Sequence, residues 1–378
     1  MPKKTILIAP NSFKECADSV TISNIIYSEL SKLPDLNLIK KPISDGGDGF
    51  LSVCNSNFNM NILSYYISTP YNDEKFLCEV GYDQTNETIY IESASVLGMK
   101  IIPLEKRHPI KLSSKGMGEL LLAISDDVTK GKLDVNKIIV GIGGTGTNDL
   151  GIGMLSRLGL EVLNLDEKPV EAIPLNFEKI RSINYKSLRL PFEIKVIVDV
   201  NNPLLGDNGA TMIFGKQKGS TQEELKFMEY GFGKLVNLFI GNKLLDSFKL
   251  LSGAGGGLAA GFQIFLNADV IQSNQFISEE LGFKDLSNID LIITGEGSFD
   301  EQSMMKKATG SIIEMFESKK LPVLLVCGKA DKNVKNKLPE FVTVFELVDL
   351  FGNEASAIKN FEAGLYKACD LARKIIEA

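Results

Sequence analysis

The chain reads as an α/β protein built on a mostly parallel sheet, and three observations predict this. Short runs of Ile, Leu and Val recur along the 378 residues, many of them end in a polar or Gly-rich turn, and a segment of helical period follows most of those turns. A buried strand that feeds a helix and then another buried strand is the repeating unit of a parallel sheet. At this length one average core is exceeded, so two domains are expected.

The elements follow in order. Residues 5–9 form the first strand, and a polar turn leads to a helix whose Ile22, Ile25, Ile26, Leu30 and Leu33 share one face. A second strand, 38–43, empties into Ser44-Asp45-Gly46-Gly47-Asp48-Gly49 before a short helix carrying Phe50, Val53 and Cys54. From 61 to 92 the pattern changes. Segments 62–68, 76–82 and 88–92 are β-rich, with polar turns and no room for helices, and so predict hairpins. A helix is expected over 114–129, strands over 137–141 and 194–199, and a helix from Thr221 to about Phe239, opened by a capping box with Glu224. Strand 289–294, helix 303–316, strands 322–327 and 343–347 and a closing helix 355–376 return to the α/β pattern. Pairing the two ends predicts a discontinuous Rossmann-like domain, 1–60 with 250–378, and an inserted α/β domain with β-hairpins, 61–249.

Composition narrows the function. With 44% hydrophobic and 24% charged residues the chain has a soluble profile, and no apolar run approaches the ~20 residues of a membrane span. A formal charge of −7 opposes nucleic-acid binding, which needs a basic surface. The start lacks the pattern of a signal peptide, and the five scattered cysteines read as reduced thiols, so a cytoplasmic protein is expected. The single histidine, His108, stands in the polar stretch Lys106-Arg107-His108-Pro109. Carboxylates, lysines and backbone amides must therefore carry any chemistry.

Ligands of open α/β sheets gather outside the carboxyl ends of the strands, where five turns are unusual. Asn11-Ser12-Phe13-Lys14 suits an anion through helix-approach amides and a lysine, or is simply a cap. Asp45-Gly46-Gly47-Asp48-Gly49 sets two carboxylates among flexible glycines, fit to hold Mg²⁺ or to accept a hydroxyl proton. The stretch 140–153, VGIGGTGTNDLGIG, matches a dinucleotide fingerprint at Gly141, Gly143 and Gly146, with 160–163 as a possible next strand. Its added polar groups, Thr145, Thr147, Asn148 and Asp149, in the same turn as Gly143 and Gly144, suit several hydrogen bonds to a phosphate or polyol better than one pyrophosphate crossing. The run at Gly253, Gly255 and Gly256 reads equally as a phosphate cradle or as close helix packing. Finally, an apolar strand ends in Thr294-Gly295-Glu296-Gly297 with Asp300 close behind and Lys307 on the next helix, while Asp199 closes Val196-Ile197-Val198.

Taken in this order, IAPNSFKE, PISDGGDGF, ESASVLGM, GIGGTGTNDLGIGML, DVNNPLLGDNGATMIFGKQKG, GAGGGLAAGF and ITGEGSFDEQS resemble blocks of the bacterial-type glycerate kinases. The resemblance spans nearly the whole chain. It implies transfer of phosphate from ATP to D-glycerate, commonly at the 2-hydroxyl, with Mg²⁺, between two α/β domains. The chain departs from the family's usual residues at Asn11 (Asp), at Ser298 (Arg) and around Lys307. On this reading Lys14 and Ser12 bind phosphate or carboxylate, and Asp45 and Asp199 orient or deprotonate the hydroxyl. The turns at 143–148 and 253–257 are phosphate cradles, and Asp45, Glu296 and Asp300 are the candidates for Mg²⁺. Two other readings stand beside it: an NAD(P)-dependent oxidoreductase using the Gly141-Gly143-Gly146 fingerprint, and a non-catalytic protein that binds a small acid.

Overall fold

Runs of Ile, Leu and Val become strands wherever a turn signal closes them. In the computed structural model, which describes residues 3–14, 16–246, 250–304 and 308–377, the strands in chain order are β1 (Lys4–Pro10), β2 (Leu36–Lys40), β3 (Asn61–Ser68), β4 (Lys75–Asp83), β5 (Thr88–Glu92), β6 (Lys137–Gly141), β7 (Leu160–Leu163), β8 (Ser182–Tyr185), β9 (Glu193–Val198), β10 (Asp269–Gln272), β11 (Leu291–Phe299), β12 (Val323–Ala330) and β13 (Val342–Glu346). The chain divides into two compact units. One comprises Met1–Asp45, Ser52–Asn59 and Ser273–Ala378, the other Gly46–Leu51 and Met60–Gln272. The fold is mixed α/β with a mostly parallel sheet, as the alternation of strands and helices predicts.

In the first unit five strands lie in the order β13-β12-β11-β1-β2, every pairing parallel. Such strands are covered on both faces and so read as continuous apolar runs. Ile6, Ile8, Leu291, Ile293, Leu324 and Val326 pack on the helices Ser19–Leu30 and Phe361–Glu377, which present Ile22, Ile26, Leu30, Leu365 and Ala368. Asp18 caps the first of these helices by accepting from Thr21 N at 2.6 Å. The closing helix is not continuous over 355–376. It divides into Glu354–Lys359 and Phe361–Glu377, and between them Asn360 donates to the Ser356 carbonyl from both its backbone N, at 3.0 Å, and its side chain, at 2.8 Å. The helix expected over 303–316 is seen as Glu301–Met304 and Ala308–Glu317.

The second unit holds a six-stranded sheet ordered β10-β9-β6-β5-β4-β3. Its four strands from β10 to β5 are parallel, and β3 and β4 add the predicted hairpins, β3 against β4 and β4 against β5. Strand 160–163 does form, as β7, but its partner is β8 in a separate antiparallel pair. The neighbours of β6 are β5 and β9. The strand-helix-strand unit that a dinucleotide fingerprint requires is therefore not made by β6 and β7. The capping box is present: Thr221 Oγ1 accepts from Glu224 N, and the Glu224 carboxylate accepts from Thr221 N, opening helix Gln222–Gly241. Among the described residues no helix is long and apolar enough to cross a membrane.

Candidate active site

The strand order of the first unit decides where a ligand can sit. From β1 the chain steps to β2 on one side, and β11 pairs on the other, so the connections leave β1 and β11 in opposite directions. That is a topological switch point, and ligands bind outside the carboxyl ends of the strands there. A cavity of about 550 Å³ occupies this place, within the usual range of small-ligand sites. Asn11, Ser12 and Lys14 line it from the end of β1, Glu296 and Ser298 from the tip of β11, and Lys329 from the tip of β12, with Asp45 and Asp300 completing the wall.

Backbone bonds hold these tips. Asn11 N donates to the Gly295 carbonyl at 2.8 Å, and Asn11 Oδ1 accepts from Ser12 N at 2.8 Å, so the side chain shapes its own turn. Thr294 Oγ1 donates to the Ala9 carbonyl at 2.8 Å. A Cβ at Gly295 would lie 1.8 Å from the Val326 carbonyl oxygen. Only glycine lets β11 and β12 close at this point.

Glu296 is the electrostatic centre of the cavity. Its Oε1 is enclosed, with no hydrogen-bond partner among the described residues. Burial pushes its carboxyl up from 4.5 to about 7; the charges of Asp300 and Asp45 push the same way, and the Ser303 and Thr309 hydroxyls pull it down. Asp300 is partly occupied as a cap: its Oδ1 accepts from Gln302 N at 2.8 Å and Ser303 N at 3.1 Å. Lys14 is exposed on the rim. Lys307 lies outside the described residues.

No group of three or more His, Cys, Asp or Glu side chains among the described residues is arranged to hold a metal ion by itself. Mg²⁺ asks for less than that. It keeps several waters and takes one or two carboxylates together with phosphate oxygens. The enclosed, unpartnered Glu296 Oε1 is a hard oxygen of the kind such an ion takes.

The second unit gathers the remaining candidates. Asp199 follows the last residue of β9 and is half-buried. Gly46 has φ +89° and packs on Ile197, and Gly47 lies against Gly143, where a Cβ would meet its Cα at 2.5 Å. Glu92, at the end of β5, anchors this segment by accepting from Gly49 N at 3.2 Å and Leu51 N at 3.0 Å. Asp48 is exposed and paired with Lys100 at 2.8 Å, beside the exposed Gly144. The 143–148 turn faces inward more than its polarity suggests. Thr145, Thr147 and Asn148 are buried, and the amides of Gly143 and Gly146 already donate to Ser93 Oγ and the Leu97 carbonyl. Packing accounts for the glycine run: a Cβ at Gly253 would sit 2.4 Å from the Pro203 carbonyl oxygen, at Gly255 2.6 Å from Ile142, and at Gly256 2.3 Å from the Thr147 carbonyl oxygen. His108 is exposed, as its polar surroundings predict.

Two residues escaped sequence reasoning. Glu92 looked like the last residue of a strand. Lys218 is one of two lysines in FGKQKG, yet it is buried and donates to the Thr147 carbonyl at 2.7 Å and to Thr145 Oγ1 at 3.4 Å.

The comparisons with known proteins agree with the ordered blocks. The chain is 29% identical to the glycerate kinase of Haemophilus influenzae over 98% of both chains. It is 30% identical to the glycerate kinase of Bacillus cereus, over 87% of this chain and 86% of that one. To the glycerate 2-kinase of Escherichia coli K12 it is 29% identical, again over 87% and 86%. The crystal structure of a "putative glycerate kinase 2" from Salmonella typhimurium LT2 superposes with a TM-score of 0.79 at 25% identity, covering 100% of both chains. The family model described as the glycerate kinase family matches residues 6–377, so most of the first strand, the switch-point cavity and the closing helix fall inside one match: the chain belongs to the glycerate kinase family.

Proposed function

We propose that the chain transfers the γ-phosphoryl group of ATP to a hydroxyl of D-glycerate, with 2-phosphoglycerate as the product and Mg²⁺ as the assisting ion. The observation that carries this is the convergence of Asn11, Ser12, Lys14, Asp45, Glu296 and Asp300 on one cavity at the switch point. Phosphoryl transfer needs positioning and charge neutralisation rather than a covalent nucleophile, so it suits a site of carboxylates and a lysine.

Lys14 binds an anionic oxygen, phosphate or carboxylate, at the rim, and Ser12 adds a hydroxyl donor beside it. For the acceptor hydroxyl there are two alternative carboxylates, Asp45 in the cavity wall and Asp199. One of them accepts its proton as the oxygen attacks phosphorus and the bond to the ADP oxygen breaks. One or two of the carboxylates of Glu296, Asp300 and Asp45 would hold the ion, which when bound neutralises phosphate charge. With a cation bound beside it the Glu296 carboxyl would be ionised, since a nearby positive charge favours that form.

The direct test is ADP release in the presence of D-glycerate, ATP and Mg²⁺, with the product identified by NMR. Resonances of 2-phosphoglycerate are expected. Resonances of 3-phosphoglycerate would correct the acceptor position, and no glycerate-dependent ADP at all would remove the function.

A further inference from the structure

Lys218 lies in the second unit, on the segment between the helices Ala210–Phe214 and Gln222–Gly241. It is 6% exposed, and its Nζ reaches the underside of the Gly143–Asn148 turn. A buried ammonium is costly unless bonded and balanced. Here two of its protons are used on the turn, one on the Thr147 carbonyl and one on Thr145 Oγ1. Its balance comes from Asp149, the charged side chain that acts on it among the described residues. Asp149 is itself held by Ser114 N, Ser114 Oγ, Gly151 N and Gly153 N, all within 3.2 Å. Two groups of the turn, Thr147 Oγ1 and Asn148 Oδ1, are buried with no hydrogen-bond partner among the described residues. Gly256 fills one side of them, since its Cβ position lies 2.3 Å from the Thr147 carbonyl oxygen and 2.8 Å from Asn148 Oδ1. Lys218 binds that same carbonyl.

We propose that Lys218 is a positioning residue for substrate binding: its buried ammonium, bonded to the Thr147 carbonyl and the Thr145 hydroxyl, fixes the Gly143–Asn148 turn and lends it the positive charge with which the turn holds an anionic ligand. The proposal rests on the reading of this turn as a phosphate cradle. Titration supplies an independent handle. Burial lowers the Lys218 ammonium from 10.5 to about 8, with Asp149 opposing the shift. The charge therefore disappears within a pH range where phosphate groups and the glycerate carboxylate are already fully ionised.

The experiment measures equilibrium binding of ATP and of D-glycerate, separately, by the full-length protein from pH 7.5 to 9.5, a window above the value of about 7 at Glu296. For the wild type, affinity for one of the two ligands should fall about tenfold across the window, with a midpoint near 8. Lys218→Met should bind that ligand at least tenfold more weakly at pH 7.5 and show a flat profile. Lys218→Arg, whose charge persists, should restore part of the affinity and also lose the midpoint near 8. A Lys218→Met protein that melts lower yet binds both ligands with wild-type affinity and pH profile would reduce Lys218 to a structural residue and overturn the proposal. Should that variant not fold, the wild-type arm decides alone: affinities constant from pH 7.5 to 9.5 overturn it equally. Absence of turnover on D-glycerate would strike the functional reading only, because the Lys218 arm is read from binding.

Discussion

Glu296 sits where an apolar strand reaches the cavity, and its carboxyl carries the electrostatic strain of the site. Unfolded, it titrates near 4.5; folded, burial first and then Asp300 and Asp45 hold it at about 7. Below 4.5 both states are protonated and the contribution of the group to stability is fully present. Between 4.5 and 7 the unfolded chain releases the proton while the folded protein keeps it, so stability falls as pH rises, and above 7 the loss is complete. Glu296→Gln abolishes this term. In thermal melts of the ligand-free protein, the drop in Tm between pH 5 and pH 8 should be smaller for the variant than for the wild type; an equal drop would show that Glu296 is not the titrating group. The neighbouring residues divide by kinetics. Asp45→Asn should lower kcat by roughly 10²-fold or more if Asp45 accepts the hydroxyl proton, and near-normal turnover would pass that role to Asp199. Lys14→Ala should raise KM for whichever anionic substrate it holds, and unchanged KM values for both ATP and D-glycerate would take Lys14 out of the site.

Elements differ in how openly the sequence declares them, and the difference is one of range. Helix Gln222–Gly241 announces itself within four residues through Thr221 and Glu224, and the hairpins of β3, β4 and β5 through alternation and short polar turns. Glu92 and Lys218 gave no such signal. Glu92 holds amides 41 and 43 residues away, and Lys218 binds a carbonyl 71 residues away, so their roles exist only after folding. The glycines at strand tips are intermediate: the sequence marks the turn but not the neighbour that requires it. Gly295 is the sharpest case, because an alanine methyl there would fall 1.8 Å from the Val326 carbonyl oxygen and force β12 aside. Gly295→Ala should cost about 1–3 kcal/mol, the range of an overpacked site, in urea unfolding. A loss within the ±0.5 kcal/mol of an ordinary surface change would mean that the two strands yield more easily than their spacing implies.

At the level of the whole chain, the α/β class was legible because alternation of strand and helix is local, whereas the order of the strands was not. The pairing of Ile6 with Leu291 joins residues that no periodicity connects, and it is this pairing that creates the switch point beside Asn11 and Glu296. The fingerprint at Gly141, Gly143 and Gly146 misleads for the same reason: its glycines fit a dinucleotide turn, but β7 leaves for a separate sheet. Ligand linkage converts that difference into a measurement on the intact protein. A ligand that binds only the folded state at 100 times its Kd adds about 2.7 kcal/mol of stability, enough to move a melting transition by several degrees. With Mg²⁺ present, ATP should raise Tm, D-glycerate should raise it further or separately, and NAD should leave it unchanged. A shift with NAD and none with ATP would return the glycine fingerprint to the dinucleotide reading. A shift with D-glycerate alone, and no ADP formed on mixing, would make the protein a binder of the acid rather than a kinase.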